Sequence, residues 1–228
     1  MIQVFKTISF LFSLCFLTTV LAKETPLAQR PDIQAFIQEM VAKHHFNEKL
    51  LTEWFNKTSL QPSIIETMKK PAEKLPWHKY RKNFITPKRI NGGVTFWKDN
   101  QATLKKAAQH YGVPEEIIVA IIGVETFYGN ITGRNKVLDA LVTLGFDYPP
   151  RAAFFKRELE EFLLLAREEK WDPTQIKGSY AGAMGKAQFI SSSYRQYAVD
   201  FTGNGHRDLL NSTEDCIGSV ANYFKKLF

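Results

Sequence analysis

The stretch AIIGVETFYG, residues 120–129, ends the most hydrophobic segment of the chain with a carboxylate, Glu125. Seven of the eight residues at positions 117–124 are large apolar residues or alanine, and the eighth is Gly123. A helix with apolar residues on nearly every side is typically buried. We therefore predict a buried helix over residues 114–128, with Glu125 close to its C-terminal end.

A carboxylate in such a segment has two interpretations. Desolvation raises the pKa of a carboxyl group, which then stays protonated near neutral pH and can donate a proton to a glycosidic oxygen. Alternatively, Glu125 is a helix-end residue whose carboxylate accepts a backbone N–H or pairs with an arginine. Composition and spacing leave both interpretations open.

Apolar residues also recur at helical spacing on both sides of this segment. We predict further helices at residues 32–41 (with Asp32 as N-cap), 47–58, 61–71, 100–112, 150–169, 192–201 and 215–228. The alternation of strands and helices that marks a parallel sheet is absent. The predicted fold class is therefore all-α, with at most short β pieces.

The chain divides into three regions: a signal peptide at residues 1–22, an N-terminal helical region with an ordered connection at 23–99, and a core at 100–228. The connection, residues 71–97, contains three prolines and the run Asn91-Gly92-Gly93. Because proline and glycine interrupt regular structure, we predict at most short extended pieces there.

The first 22 residues, MIQVFKTISFLFSLCFLTTVLA, have the pattern of a secretory signal peptide: a lysine, a short apolar run and small residues before Ala22. An uncleaved anchor is the alternative. Leu14 precedes Cys15 where a lipoprotein site needs a small residue, so we do not expect lipidation. Removal of the signal leaves Cys216 as the one cysteine, which excludes an internal disulfide. We predict an exported, periplasmic protein without a stable membrane span.

The 228-residue chain carries a formal net charge of +7. A basic protein suits an anionic partner such as a nucleic acid, a membrane surface or an acidic wall polymer. No dense arginine and lysine block with interleaved exposed aromatics is present, which argues against nucleic acid. A cell-wall polymer fits best with export.

Three ordered motifs carry a resemblance to a known family. The chain contains VETFYG at 124–129, LDAL at 138–141 and GAMGKAQF at 182–189, with supporting similarity in YRKNFITPKRINGGVTFW at 80–97. This order resembles the membrane-bound lytic murein transglycosylase B family, over most of the chain after the signal peptide. The resemblance favours the catalytic interpretation of Glu125 on a lysozyme-like core.

The resemblance implies cleavage of peptidoglycan between N-acetylmuramic acid and N-acetylglucosamine, with formation of a 1,6-anhydro end. Glu125 would protonate the leaving oxygen and then accept the proton of the muramoyl C6 hydroxyl. A glycosidase with two carboxylates needs a second acid at a defined separation. The nearest candidates, Asp139 and Asp147, lie in motifs that favour structural roles, so one acid is expected to suffice and no cofactor is required.

The resemblance also implies residues that contact the glycan. Ser179 and Gln188 flank the glycine-rich stretch, and Tyr80, Arg151 and Phe189 match groove positions more loosely. Glycine lets backbone amides approach a bulky sugar chain, because it has no Cβ. The alternative for these glycines is tight helix packing.

The segment DFTGNGHRDL, 200–209, resembles the EF-hand-like loop of the same family. The residues implied as ligands are Asp200, Thr202, Asn204, His206 through its carbonyl, and Asp215. The twelfth loop position is Asn211 rather than a bidentate glutamate, so we expect at most weak binding of Ca²⁺ or Na⁺. A polar loop that binds no ion is the alternative.

Members of the family usually continue beyond the VANYF helix, whereas this chain stops at Phe228. We therefore expect a C-terminally shortened core. Three functional hypotheses follow: a monomeric lytic transglycosylase, a lysozyme-like muramidase that uses water, and a non-catalytic peptidoglycan-binding remnant.

Overall fold

A computed structural model describes residues 25–69 and 75–227. The predicted signal peptide lies outside these residues. The described helices are α1 Pro31–His44, α2 Glu48–Asn56, α3 Pro62–Lys69, α4 Trp77–Tyr80, α5 Pro87–Asp99, α6 Gln101–Tyr111, α7 Glu115–Thr126, α8 Val137–Asp147, α9 Ala152–Glu168, α10 Ser191–Tyr197 and α11 Thr213–Leu227. Short 3₁₀ turns cover Leu27–Gln29, Arg81–Asn83 and Pro149–Arg151. The mainly α-helical fold class predicted from the sequence is confirmed.

Among residues 25–69 and 75–227, two short strands form a sheet, β1 Asn135–Lys136 and β2 Lys177–Gly178. They pair antiparallel, with Asn135 opposite Gly178 and Lys136 opposite Lys177. This pairing places the start of α8 beside the glycine-rich segment that follows β2.

The prediction for residues 71–97 was wrong over most of its described part, because residues 77–80 form α4 and residues 87–99 form the 13-residue helix α5. The helix begins with Pro87 after Thr86, whose side chain accepts a hydrogen bond from the Arg89 amide. Gly92 and Gly93, which indicated a break, lie within it. A Cβ at Gly93 would lie 2.5 Å from the Tyr128 hydroxyl, so these glycines serve a contact rather than a turn.

The prediction of Asp32 as the N-cap of the first helix was also wrong. Helix α1 begins at Pro31 with Arg30 in the N-cap position, and Asp32 lies in its first turn. The Arg30 guanidinium forms ion pairs with Asp32 and, 2.7 Å away, with Asp147 at the end of α8. The N-terminal helix is thereby attached to the core.

The core is built around α7, α8 and α9. Helices α8 and α9 pack against each other, while α11 packs on both α6 and α7. Nine consecutive residues of α8, from Val137 to Gly145, are buried. Burial of apolar side chains on this scale is the main stabilising contribution to the fold.

One cluster of charged side chains fastens α10 and the following loop to α9. Arg195 pairs with Glu161 and Glu168, and Arg207 pairs with Glu168 and Glu169. These contacts fix the segment that leads from the glycine-rich loop to α11.

Helix α11 contains the free thiol of Cys216, which is completely buried. Desolvation raises the pKa of this thiol to about 12. In the described part of the chain, no helix combines the length and apolar character needed to cross a bilayer.

Candidate active site

The C-terminal end of α7 carries Glu125 and has a strained backbone. The helix ends at Thr126, and the next two residues, Phe127 and Tyr128, adopt left-handed conformations with φ of 53° and 61°. Such conformations are costly for residues with a side chain and persist only where neighbouring contacts hold them. Strain therefore accumulates within three residues of Glu125.

Helix α5 supports this end of α7 through the ring of Tyr128. A Cβ at Gly123 would lie 2.6 Å from the Tyr128 hydroxyl, so the ring occupies space that only glycine leaves open. The same hydroxyl donates a 3.0 Å hydrogen bond to the carbonyl of Arg89 on α5. Gly123 therefore leaves the space for the Tyr128 ring, which links the end of α7 to α5.

Thr126 attaches the other side of the same turn to the glycine-rich segment. Its buried hydroxyl donates to the carbonyl of Lys186 at 2.7 Å and accepts from the amide of Gly129 at 2.9 Å. The residue next to Glu125 therefore sets the distance between α7 and the segment that carries Gln188.

The glycine-rich segment folds into a tight turn that presents Gln188. Gly185 has φ of 72°, and a Cβ there would lie 2.3 Å from the carbonyl oxygen of Leu209. Gln188 is itself left-handed, with φ of 50°. Its side-chain amide donates to the carbonyls of Thr132 and Gly185, at 3.1 and 3.0 Å. The Gln188 side chain is thereby fixed in the turn.

Glu125 and this turn line one open cleft with a volume of about 430 Å³. Helices α7, α10 and α11 supply the rest of its wall. The lining residues are Ile121, Glu125, Ala187, Gln188, Phe189, Ile190, Ser193, Val220, Tyr223 and Phe224. The wall is mainly apolar and aromatic, with a small number of polar groups, as in many ligand sites.

Glu125 is the one acidic residue among those lining residues. Glu125 is exposed at the cleft surface. The prediction of a buried helix was therefore wrong for part of α7, which buries one face and places Ile121 and Glu125 in the cleft wall. Desolvation by the surrounding cleft wall nevertheless raises the pKa of the Glu125 carboxyl. Within the described residues, no hydrogen bond or ion pair engages this carboxyl. It is therefore suited to hold and release a proton.

The two other acids weighed as partners of Glu125 are engaged in structural contacts. The Asp139 carboxylate accepts a hydrogen bond from the Ser59 amide at 3.2 Å, which docks the N-terminal region on α8. Asp147 is paired with Arg30. Neither residue belongs to the cleft wall, so the described residues offer a single acid at this site.

The residues predicted to contact the glycan fall into two groups. Gln188 and Phe189 lie in the cleft wall with Glu125. Three others lie outside it. The Ser179 hydroxyl accepts hydrogen bonds from the amides of Ala181 and Ala183. Tyr80 packs against Phe84, with tilted rings whose centroids are 5.1 Å apart. The exposed Arg151 lies over the ring of Phe154. The roles of all five residues in binding stay predictions.

Sequence reasoning missed the contribution of α11 to the cleft. Val220, Tyr223 and Phe224 line it, and Tyr223 packs on Phe189 with ring centroids 5.2 Å apart. Their i, i+3, i+4 spacing predicted an amphipathic helix. Only the folded arrangement shows that this apolar face meets Glu125.

The loop at residues 200–209, for which an EF-hand-like ion site was predicted, is held by the carboxylates of Asp200 and Asp215. Asp200 accepts hydrogen bonds from the amides of Gly203, Asn204 and Gly205 and from the Thr202 hydroxyl. Slight desolvation opposes these bonds, yet together they lower the pKa of Asp200. The described residues contain no group of three or more His, Cys, Asp or Glu side chains placed to hold a metal.

Asp215, the last predicted ion ligand, lies behind this loop at the start of α11. It is fully buried and accepts the amides of Phe201, Thr202 and Asp208 at 2.8 to 3.0 Å. His206 donates its amide to the Asn204 side chain. The Thr202 hydroxyl lies 3.0 Å from an oxygen of Asp200. The carboxylates of both Asp200 and Asp215 accept backbone amides of this loop.

The described residues thus form a mainly α-helical core with one carboxyl that lacks a partner on an open, largely apolar cleft. Comparison with known proteins identifies the class to which this fold belongs. The family model described as Transglycosylase SLT domain matches residues 28–227, and the chain belongs to this family.

Similar proteins are known from two bacteria. The chain is 50% identical over 208 residues to the Escherichia coli (strain K12) membrane-bound lytic murein transglycosylase B, covering 87% of this chain and 57% of that protein. The Escherichia coli lytic transglycosylase Slt35 in complex with calcium matches with a TM-score of 0.82 and 50% identity, covering 88% of this chain and 64% of that one. Pseudomonas aeruginosa SltB3 in complex with NAG-anhNAM-pentapeptide matches with a TM-score of 0.78 and 31% identity, covering 85% of this chain and 51% of that one. The chain thus spans about half to two thirds of the length of these relatives.

Proposed function

We propose that this protein cleaves the β-1,4 bond between N-acetylmuramic acid and N-acetylglucosamine in peptidoglycan, as a lytic transglycosylase. The observation that carries the proposal is Glu125, an unpaired carboxyl with a raised pKa on an open, largely apolar cleft. Membership of the transglycosylase family and the names of its relatives support the assignment.

In the proposed reaction, Glu125 is both the acid and the base. The protonated carboxyl donates its proton to the glycosidic oxygen as the bond from the muramoyl C1 breaks. The resulting carboxylate takes the proton of the muramoyl C6 hydroxyl, whose oxygen bonds to C1 and closes the 1,6-anhydro ring. The proton count on Glu125 is restored, and no water is consumed.

A single acid is sufficient in this scheme because the substrate supplies the other groups. The C6 hydroxyl is the nucleophile, and the acetamido group stabilises positive charge at C1. A scheme with one acid agrees with the contacts of the two other candidates, because Asp139 accepts the Ser59 amide and Asp147 pairs with Arg30. A muramidase with two carboxylates would need a second free acid several ångströms away.

The cleft wall suggests how the glycan is held. Tyr223 and Phe189 offer aromatic surface for a sugar ring. The side-chain carbonyl oxygen of Gln188 can accept a hydrogen bond from a sugar hydroxyl or amide. Left-handed Gln188 and its two amide hydrogen bonds fix this acceptor before substrate arrives. Such preorganisation lowers the entropic cost of binding.

The product distinguishes the proposal from hydrolysis. We expect purified protein lacking residues 1–22 to release muropeptides ending in 1,6-anhydro-N-acetylmuramic acid from isolated sacculi, as measured by mass spectrometry. Products of hydrolysis are 18 Da heavier, by one water, and carry a reducing end. A digest containing only reducing ends would refute the transglycosylase, and binding to sacculi without release would favour a peptidoglycan-binding module.

The pH dependence of the reaction should follow the raised pKa of Glu125. The acid form is required for the first step, so kcat/KM should fall as the pH rises through this pKa. Because desolvation raises the pKa, we expect this fall at a higher pH than the usual glutamate value of about 4.3. Soluble murein fragments assayed across pH in buffers of constant ionic strength test this; a fall centred on the usual value would contradict it.

We further propose weak binding of Ca²⁺ or Na⁺ by oxygens of Asp200, Thr202 and Asn204, a set too small for tight binding. Calcium at ten times its Kd should stabilise the fold by roughly 1.4 kcal/mol. This corresponds to a rise in Tm of about 3–6 °C for a chain of this size. Thermal melts with calcium or chelator test the proposal, and a rise that persists in Asp200→Asn would contradict it.

We also propose that the protein is exported to the periplasm by residues 1–22 and acts there as a monomer. Lys6, the apolar run that follows it and the small residues before the predicted cut support export. The mass of the protein recovered from the periplasm tests cleavage after Ala22, and light scattering tests the monomer.

A further inference from the structure

Arg89 on α5 makes three separate contacts with the end of α7. Its guanidinium donates a hydrogen bond to the carbonyl of Gly123 and lies over the ring of Phe127, 5.1 Å from the ring centroid. Its backbone carbonyl accepts the hydroxyl of Tyr128 at 3.0 Å. One residue thus contacts both sides of the position occupied by Glu125.

The guanidinium is itself held in a fixed orientation. The guanidinium carbon also lies 5.3 Å from the centroid of the Phe84 ring. The planar group therefore contacts two aromatic rings, Phe84 before α5 and Phe127 after α7. Arginine suits such a place because its planar group can stack on a ring while its N–H groups donate in fixed directions. Arg89 is half-buried, which limits competition from water.

These contacts act on the strained turn. Phe127 and Tyr128 are consecutive left-handed residues, a conformation that is unfavourable for residues with a side chain and that persists only where neighbouring contacts hold it. The Gly123 carbonyl that Arg89 contacts also accepts the amide of Phe127 at 3.1 Å, the hydrogen bond that closes the last turn of α7. Without Arg89, fewer contacts oppose relaxation of this turn.

We propose that Arg89 is a positioning residue for Glu125, acting through the Gly123 carbonyl and the ring of Phe127. Glu125 lies between these two contacts along the chain, and its carboxyl has no hydrogen bond of its own to fix it within the described residues. The orientation of the carboxyl therefore depends on the backbone that carries it. This inference rests on the proposed function, because the effect of the orientation appears in the transfer of a proton to the glycan.

Lys88 provides a matched control. Its ammonium group lies 5.6 Å from the same Phe127 ring but makes no hydrogen bond to α7. Arg89→Met and Lys88→Met each remove one positive charge beside the Phe127 ring and keep an unbranched side chain. A difference between them therefore reports the hydrogen bond to the Gly123 carbonyl and the contacts of the guanidinium.

For Arg89→Met we expect kcat to fall by about 10- to 100-fold, the size of effect that a small misplacement of a catalytic group produces. KM should stay within twofold, because Arg89 is not part of the cleft wall. Arg89→Lys, which keeps a donor but loses the planar group, should recover part of kcat. Lys88→Met should retain wild-type kcat.

A second measurement needs no activity. Hydrogen exchange at the amides of Phe127 and Tyr128, which close the end of α7, should be at least tenfold faster in Arg89→Met than in wild type or Lys88→Met. Thermal melts identify the temperature at which each variant is fully folded, and both assays are run below it.

The outcomes separate the two proposals. Loss of kcat together with faster exchange supports the positioning role. An unchanged kcat in folded Arg89→Met, a rise in KM alone, or an equal loss in Lys88→Met overturns it. If wild-type protein forms no anhydro product, the proposed function fails. In that case an unchanged rate of hydrogen exchange in Arg89→Met overturns the role of Arg89 as well. Faster exchange there supports the conclusion that Arg89 stabilises the turn.

Discussion

Replacing Glu125 with glutamine is expected to lower the rate of anhydro-muropeptide release by about 10²- to 10⁴-fold, the usual contribution of a general acid or base. Glutamine has nearly the same shape but neither donates a proton of suitable pKa nor accepts one. Since Glu125 serves both steps of the proposed reaction, no step escapes the substitution. Release from sacculi, measured by chromatography and mass spectrometry, gives the ratio of rates.

The same substitution should leave the fold intact. The carboxyl of Glu125 has no partner among the described residues, so its replacement breaks no structural contact. Its folded-state pKa is raised, so the stabilisation linked to the protonated form is complete at low pH and is lost as the pH rises through that pKa. Glu125→Gln should therefore match or slightly exceed the Tm of wild type at pH 7.

Two results would contradict the assignment of Glu125. Substantial activity in Glu125→Gln would mean that another group supplies the proton. A large loss of stability at neutral pH would point to a structural role for the carboxylate. Ser193→Ala is a suitable comparison, because it changes another polar residue of the cleft wall without touching the proposed acid.

Asp215→Ala is expected to destabilise the protein by about 3 kcal/mol or more. The carboxylate is fully buried and accepts three backbone amides of the 201–208 segment, which the substitution leaves without a partner. Each unsatisfied buried group costs about 1–3 kcal/mol. For a chain of this size a loss of about 3 kcal/mol lowers Tm by roughly 6–12 °C, which calorimetry or circular dichroism measures.

The neighbouring Glu214 supplies the control, since it is exposed in the same first turn of α11. Glu214→Ala should cost less than about 1 kcal/mol, the usual contribution of an acid at a helix N-terminus. Melts in chelator separate the two roles considered for Asp215. If it stabilises the loop mainly as an ion ligand, the destabilisation by Asp215→Ala should disappear when calcium is removed; we expect it to persist.

Local patterns predicted most of the helices because they depend on residues close in sequence. Helix α6 ends at Tyr111 and is capped by Gly112, which has φ of 74°, within one residue of the predicted end. Helix α5 was missed because Gly92 and Gly93 are glycines for a long-range reason, the ring of Tyr128. A single sequence gives no sign that a ring from 35 residues away occupies the space beside them.

In the candidate site, too, local patterns predicted some features, whereas others depend on contacts between residues far apart in the sequence. The hydrophobic run and the family motifs pointed to Glu125, and Gln188 and Phe189 lie with it in the cleft. The exposure of Glu125 and the contribution of Tyr223 depend on how α7 meets α11, which periodicity alone does not determine. Likewise, the family resemblance implied Asp215 as an ion ligand of the 200–209 loop, whereas the folded loop surrounds it with backbone amides.

The buried thiol of Cys216 can report the opening of the structure around α11. In protein lacking residues 1–22 it is the one cysteine, so any thiol reagent has a single target. With no surface exposure and a pKa of about 12, this sulfur reacts only in molecules that have opened around α11. When reclosing is fast, the ratio of its labelling rate to that of an unfolded chain equals the open fraction, so simple labelling kinetics would give the opening free energy under native conditions.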